Sequence, residues 1–274
     1  MTFGFSTGDL RNSSNLSKAL LDLRSGLFGT FVWLHLAWQD TKQRYRRSII
    51  GPFWITISTG IMVLAMGPLY GALLKQEIGP YIQHLAVSLI VWMFISGVIN
   101  ESCSAFIGAA GYIKEIKLPL FVHVLRVLAK NLIMLAHNSV IVLLVLIAYP
   151  PTRGGVVGLA IIGLVVVIGN LLWIGLVTAL LCARFRDIPQ IVTNVVQVAF
   201  FISPILWKAD MLGSNKFVAD LNPLYHLVDV IRAPLLGQLP ANLSWFVVFG
   251  MLIAGSVFAL CLFSRFRSRV AYWI

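Results

Sequence analysis

Long uncharged apolar stretches recur along most of this chain. Six of them contain no Asp, Glu, Lys or Arg, and they cover residues 48–74, 78–100, 131–152, 154–183, 188–207 and 233–264. An α-helix rises about 1.5 Å per residue, so roughly 20 residues cross the ~30 Å hydrocarbon core of a bilayer. The pattern therefore predicts an all-α integral membrane protein in which residues 49–274 form a domain of six transmembrane helices.

The first 48 residues are more polar and are predicted to form a cytoplasmic N-terminal segment. Up to about residue 25 they lack the apolar stretch of a secretory signal, and we expect this part to be mobile. Residues 27–43 then carry an apolar stripe at helical spacing, made of Leu27, Phe31, Leu34 and Trp38. The stripe predicts an amphipathic helix in the inner membrane interface, and a helix packed on the rest of the chain is compatible with it. The predicted interface anchors are Trp38, Arg44, Tyr45, Arg46 and Arg47.

The stretch between the fifth and sixth spans, residues 205–242, alternates apolar and polar segments and contains three prolines. It is too interrupted to be a plain span. We expect short re-entrant helices that dip into the outer interface, which a membrane protein tolerates when their backbone is buried in protein.

Charge supports this topology. The chain has 21 Lys and Arg against 10 Asp and Glu, and only 11% of its residues are charged while 59% are hydrophobic. Sixteen of the basic residues fall in the predicted inner segments and five in the outer ones. The positive-inside rule therefore predicts that both termini are cytoplasmic. The excess of positive charge then indicates topology and contact with anionic headgroups rather than nucleic-acid binding.

Chemistry-bearing motifs are scarce. No Gly-Lys pair occurs, so the chain has no GxxxxGK[ST] phosphate loop of its own, and the three cysteines are too far apart for a metal motif. The ten acidic residues are scattered singly, which disfavours a Mg²⁺-dependent membrane enzyme of the polyprenyl-phosphate type. Glu101 is the one carboxylate inside the spans that an ion-coupled transporter could use, and that alternative stays open. We expect no catalytic residue and no metal site in this chain.

Five short motifs occur in a fixed order. They are RYRRSIIGPFW at 44–54, IKEIKLP at 113–119, RFRDI at 184–188, SPI at 203–205, and NPLY at 222–225 followed by RAP at 232–234. Together they resemble the ABC-2 type permeases that export polysaccharides such as O-antigen, capsule and teichoic acid. The resemblance covers about residue 27 to the end, with Leu118 where the family more often has an aromatic residue.

The resemblance implies a homodimer that forms a pore and works with two copies of a separate ATPase. ATP and Mg²⁺ would bind that ATPase, and this chain would bind no cofactor. The substrate would be a polyprenyl-pyrophosphate-linked glycan carried out across the bacterial inner membrane. Export of a drug or small lipid by the same fold is the alternative, because six spans and the same inner loops would serve it equally.

Three groups of site residues follow from the resemblance. ATPase coupling is assigned to the inner loops, at Ile113, Lys114, Glu115, Ile116, Lys117, Pro119, Arg184, Arg186 and Asp187. Aromatic faces stack on sugar rings, and the pore and glycan contacts are assigned to Phe53, Trp54, Tyr70, Phe200, Phe201 and Trp207. An outer gate is assigned to Asn222, Pro223, Tyr225 and Arg232. The alternative explanations for these three groups are ordinary loop charge, interfacial aromatic residues and helix capping.

Overall fold

The computed structural model describes residues 15–44, 46, 51, 53–116, 118–151 and 154–274. Within these residues the chain is helical and contains no strand. The helices are α1 (Asn15–Phe28), α2 (Thr30–Arg44), α3 (Phe53–Leu73), α4 (Ile78–Ser102), α5 (Ala110–Glu115), α6 (Phe121–Ala148), α7 (Val157–Arg184), α8 (Ile188–Ile202), α9 (Phe217–Asp220), α10 (Pro223–Leu235), α11 (Asn242–Phe266) and α12 (Val270–Trp273). Single 3₁₀ turns join several of them, the longest at Ala209–Lys216.

Five of the described helices are long and apolar enough to cross a membrane: α3, α4, α6, α7 and the helix that begins at Asn242. Five of the six predicted spans are therefore long helices. The remaining one, predicted within residues 188–207, is the shorter helix α8. This helix has only 15 residues, about 22 Å at the rise of an α-helix. It stops because Ser203 precedes Pro204, and the proline ring pushes Ser203 into an extended conformation (φ −78°, ψ 143°).

Helix α4 forms the centre of the bundle. In its most apolar part 78% of the residues are buried, against 22% in α3 and 11% in α6. It packs against α3, α6, α7, α8 and α10. Because α4 is covered from nearly all sides, the long helices around it, α3, α6 and α7, keep much of their apolar surface exposed, as in a bundle surrounded by lipid.

Most basic side chains gather where α4, α7 and α11 finish and α6 begins. Glu101 near the end of α4 pairs with Lys130 of α6 at 2.8 Å and with Arg44 of α2 at 3.4 Å. Arg184 at the end of α7 lies over the ring of Trp273 in α12. We call this the basic end of the bundle, and the other end, where α3 finishes and α4 begins, the opposite end.

Helix α1 corrects the expectation of a mobile segment up to about residue 25. For the described part, from Asn15, the chain is a helix that packs on α6 and α11. Its Asp22 side chain is 1% exposed. It accepts hydrogen bonds from the Phe121 N–H at the start of α6 (3.1 Å) and from Arg267 Nε (2.7 Å). The first N–H groups of a helix have no partner within the helix, so Asp22 caps α6 from a distant segment.

Helix α2 packs on α6 through a face that contains Ala37 and Thr41, and Asp40 forms a bidentate ion pair with Arg126. The predicted apolar stripe lies on the uncovered side, where Phe31 is 80% and Trp38 59% exposed. Contact with the rest of the chain is thus established for one face. Placement of the other face in the membrane interface stays a prediction, and the predicted anchors Tyr45 and Arg47 lie outside the described residues.

The Asp22 cap can be tested by its effect on stability. We expect Asp22→Ala to lower the free energy of unfolding by about 1–3 kcal/mol, because α6 loses a capping acceptor and Arg267 loses a buried partner. Thermal unfolding in detergent, followed by tryptophan fluorescence, measures the change. Asp210→Ala is the matched control, since its ion pair with Lys216 involves an Asp side chain that is 86% exposed and surface pairs contribute little. Equal melting temperatures for the two variants would contradict the assignment.

Candidate functional site

The two helices expected to line a pore, α3 and α8, lie on the same side of α4. Phe200 of α8 packs against the cluster formed by Val63 of α3 and by Ile82 and Leu89 of α4. Helix α3 buries a single stripe, and Val196 is the only fully buried residue of α8. Each of the two helices therefore keeps apolar residues that no other described residue covers, and on α8 these lie beside an exposed polar stripe of Gln190, Thr193, Asn194 and Gln197.

The predicted pore aromatics divide between the two ends of these faces. Phe53 and Trp54 lie at the start of α3 and are each 57% exposed. Phe53 also makes an edge-to-face contact with His137 of α6 at 5.7 Å. Tyr70, near the other end of α3, is half-buried. These residues lie at the two ends of α3 and on different sides of the helix, so they do not form a single cluster.

An aromatic cluster does form at the end of α8. Phe200 lies 5.9 Å from Trp92 and 5.2 Å from Phe201, measured between ring centres. Trp207 turns back and donates its indole N–H to the Phe201 carbonyl at 3.2 Å. Phe201 stays 62% exposed. The structure therefore brings together three of the six predicted aromatics, with one ring fully available on the surface.

Bonds to the start of α4 hold the segment that follows α8. The Tyr81 hydroxyl donates to the Leu206 carbonyl at 2.7 Å, and His84 Nε2 lies 3.2 Å from the Trp207 carbonyl. Lys208 Nζ donates to Gln76 Oε1 at 3.1 Å. These contacts could not be predicted from sequence patterns, because they join residues more than 120 positions apart.

Helix α10 is a short buried helix, as expected for the segment between the last two long helices. Asn222 caps it by accepting from the Leu224 N–H at 3.0 Å, and its side-chain amide donates to Ser203 Oγ at 2.8 Å. An alanine-sized side chain at Gly163 of α7 would meet the Val230 carbonyl oxygen at 2.3 Å. Glycine there lets α10 lie directly on α7. Entry of α10 into the membrane stays a prediction.

Arg232 is the centre of a buried polar network. It donates to the Pro204 carbonyl at 2.6 Å, to Ser88 Oγ at 3.2 Å and to Asp229 Oδ1 at 3.1 Å. Asp229 also accepts from Ser244 Oγ of α11 at 2.9 Å. Both charged side chains are under 10% exposed. A buried ion pair needs such additional hydrogen bonds to offset its desolvation, and here they join α4, α10, α11 and the turn after α8.

Two further residues of α10 complete this region. His226 bridges Ser244 Oγ at 3.0 Å and the Asp220 carbonyl at 2.8 Å. Tyr225 lies under Arg232, with 5.6 Å between the guanidinium carbon and the ring centre. The predicted gate residues Asn222, Tyr225 and Arg232 therefore belong to one connected structure. Asp229 was missed from the sequence, although it lies three residues before Arg232 on the same helix, and so was His226; both bond Ser244 of α11, which only the packing reveals.

The predicted coupling loops both lie at the basic end. Helix α5 carries Ile113, which packs on the core, and Ile116 follows it with 48% of its surface exposed. Lys114, Glu115, Arg184, Arg186 and Asp187 are exposed, and Pro119 is half-buried. Lys117 lies outside the described residues. Asp187 stands at the cap position of α8, but its side chain makes no capping hydrogen bond, so the alternative explanation of Asp187 as a helix cap is wrong.

Glu101 has partners that the sequence did not reveal. Besides Lys130 and Arg44, it accepts a hydrogen bond from Asn131 Nδ2 at 2.8 Å. Among the described residues, no group of three or more His, Cys, Asp or Glu side chains could hold a metal ion.

Comparisons with known proteins assign this architecture to a family. The sequence profile of the ABC-2 type transporter family matches residues 32–236, which include α2 to α10. The chain is also 22% identical over 203 residues to the O-antigen export system permease protein RfbA of Myxococcus xanthus, covering 73% of this chain and 78% of that protein. Two proteins of the same name from Klebsiella pneumoniae are 24% identical over 196 residues, which cover 69% of this chain and 74% of each of them. Because the profile matches well over half of its length, this chain belongs to the ABC-2 type transporter family.

Proposed function

We propose that this chain is the transmembrane subunit of an ATP-driven exporter that moves a lipid-linked polysaccharide, similar to O-antigen or capsule, across the inner membrane. Two copies of the chain form the pore, and two copies of a separate ATPase drive it. The observation that carries the proposal is that α3 and α8, on the same side of α4, each keep apolar residues that the rest of the described chain leaves uncovered. The names of the curated relatives support the substrate class, since all three are O-antigen export permeases.

The pore forms where the α3 and α8 faces of two copies meet. Exposed apolar surface on α3 includes Ile57, Ile61 and Leu64, and on α8 it includes Val195 and Val198. Small-to-medium apolar side chains pack well between helices in a membrane. The aromatic cluster at Phe201 lies at the opposite end of this face, where a sugar chain stacks weakly on ring faces and slides past.

Energy comes from outside the chain, because the sequence has no phosphate loop. ATP and Mg²⁺ bind the partner ATPase. The partner docks at the basic end, which faces the cytoplasm together with both termini. Ile116 is an exposed apolar contact beside exposed charges of α5, and this combination of an apolar centre and a charged rim is typical of protein interfaces.

The outer gate is built by α10 and its buried network. Arg232 directs its donors to Pro204, Ser88 and Asp229, so it fixes the turn after α8 against α4. Movement of α8 during transport therefore has to move α10 with it. In this arrangement Arg232 acts on the gate through its protein contacts, and a pyrophosphate group of the substrate does not meet it directly.

ATP hydrolysis in reconstituted vesicles tests the main proposal. We expect that hydrolysis requires both this chain and its ATPase, and that a polyprenyl-pyrophosphate-linked glycan stimulates it. Omitting each component in turn supplies the controls. Transport or chemical change of the substrate by this chain without any ATPase would overturn the proposal. In that case Glu101→Gln would show whether ion coupling drives the movement.

Charge reversal tests the coupling loop. We expect Lys114→Glu combined with Lys117→Glu to weaken binding of the ATPase about tenfold or more, because close like charges replace attractive ones at the rim. Pull-down of the ATPase with purified permease measures this. The matched control is Lys75→Glu with Lys216→Glu, which changes the net charge by the same amount at the opposite end. Equal binding by both double variants would remove this loop from the docking site.

Substitutions in the buried pair separate a structural from a substrate-binding role of Arg232. Arg232→Gln leaves Asp229 buried without its charge partner, and we expect it to cost about 3–5 kcal/mol of stability. The double variant Asp229→Asn with Arg232→Gln should recover part of this loss, because no uncompensated charge remains. Thermal unfolding in detergent gives both values. If Arg232→Gln kept the melting temperature of the wild type and lost only transport, direct substrate contact would be the better explanation.

A further inference from the structure

A cavity of about 330 Å³ opens at the basic end, between the last turns of α7 and α11 and the short helix α12. Its volume lies within the range of small-ligand sites, about 300–1,000 Å³. Leu180, Leu181 and Leu262 form an apolar wall, and the guanidinium groups of Arg184 and Arg269 stand at its edge. A pocket with an apolar wall and a basic edge suits a ligand that has both an acidic head and an apolar tail.

Aromatic rings hold the two arginines in position. The guanidinium carbon of Arg184 lies 5.4 Å from the ring centre of Trp273 and 5.7 Å from that of Phe185. Arg269 lies 5.9 Å from the ring centre of Phe266. A cation above an aromatic face is stabilised without using its N–H donors. The rings therefore orient both guanidinium groups while their donors stay available.

The two arginines at the edge of this cavity are exposed, and their surroundings differ from those of the less exposed arginines, which pair with acids. Arg126, Arg232 and Arg267 each pair with an aspartate. Within the described ranges, neither Arg184 nor Arg269 has a carboxylate within 4.0 Å or a hydrogen-bonded acceptor. Two oriented arginines with free donors and no acidic neighbour form a site for a phosphate-type anion, which guanidinium groups bind through paired hydrogen bonds.

The apolar wall indicates a lipid as the source of that anion. Leu180 and Leu181 belong to α7 and Leu262 to α11, and both helices are long enough to cross the membrane. The wall therefore continues into the hydrocarbon, where an acyl chain lies. Trp273 marks the level of the headgroups, since tryptophan is enriched at the membrane interface. Basic pockets between transmembrane helices are a recurrent binding place for anionic headgroups.

We propose that this cavity binds one anionic membrane phospholipid, with its phosphodiester on Arg184 and Arg269 and an acyl chain along Leu181 and Leu262. The cavity is separate from the proposed pore faces, because none of its lining residues belongs to α3 or α8. The bound lipid is therefore distinct from the exported one. Its binding would fix α12 against α7 and α11, next to the coupling helix α5, which contacts α12.

Quenching of tryptophan fluorescence tests the site in the purified full chain, without ATPase or glycan. The protein is held in neutral detergent and titrated with phosphatidylglycerol whose acyl chains carry bromine, a contact quencher. We expect saturable quenching in the wild type and loss of that component in Trp273→Phe. In Arg184→Gln with Arg269→Gln the half-saturation concentration should rise about tenfold, as loss of charge-assisted hydrogen bonds predicts.

The matched control is Arg186→Gln with Arg265→Gln, which removes two positive charges from the same end outside the cavity lining. It should keep the wild-type half-saturation value, and all variants should elute identically from a sizing column. Equal weakening in both double variants, or no weakening in either, would overturn the proposal. Competition by millimolar inorganic phosphate would identify a free-anion site instead. Displacement of the lipid by a polyprenyl pyrophosphate at a concentration below that of the phospholipid would identify a substrate site. Either of these two results would exclude the phospholipid as the ligand.

Discussion

A polar group inside the hydrocarbon region has no water to bond with, and every such group in this chain needs a partner within the protein. The break after α8 shows the consequence. Pro204 ends the helix and leaves its own carbonyl without a helical donor, and Arg232 of α10 supplies that donor. Arg232 in turn requires Asp229, and Asp229 requires Ser244. One interruption in one helix thus ties four segments of the chain together.

The same constraint explains why α4 lies at the centre. Its polar residues Ser88, Gln83 and His84 are buried and meet partners on the segments around it. A helix with these side chains facing lipid would be costly. Helix α3 carries few such groups on its outer face, so that face can meet lipid or a second copy of the chain. Helix α8 exposes Gln190, Thr193, Asn194 and Gln197 beside its apolar residues, so a water-filled pore suits it better than lipid. The proposed dimer pore follows from this contrast between a centre that holds buried polar contacts and outer helices with uncovered surfaces.

The two ends of the bundle have different chemistry. The basic end holds the exposed coupling loops, the Asp22 cap of α6 and the cavity lined by Arg184 and Arg269. The opposite end holds the aromatic cluster around Phe201 and the α10 network. Force applied at the basic end has to reach the other through whole helices, since α4, α7 and α11 run the length of the bundle. Helix α10 packs against all three of these helices, so a movement of any of them would act on α10.

The sequence by itself determined the class of protein, the approximate positions of the long helices and the family. These properties are local, because hydropathy depends on a window of about twenty residues. Five short motifs were enough for a resemblance to the family, and the family match confirms it. Even the short α8 has a local cause at Ser203-Pro204, within an uncharged run that hydropathy alone extends to residue 207. Only the tertiary structure showed that Asp22 caps a helix that begins 99 positions later and bonds Arg267, which lies 245 positions later in the chain. Such contacts depend on how the helices pack, because charge and hydropathy define what must be buried without defining which residue meets it.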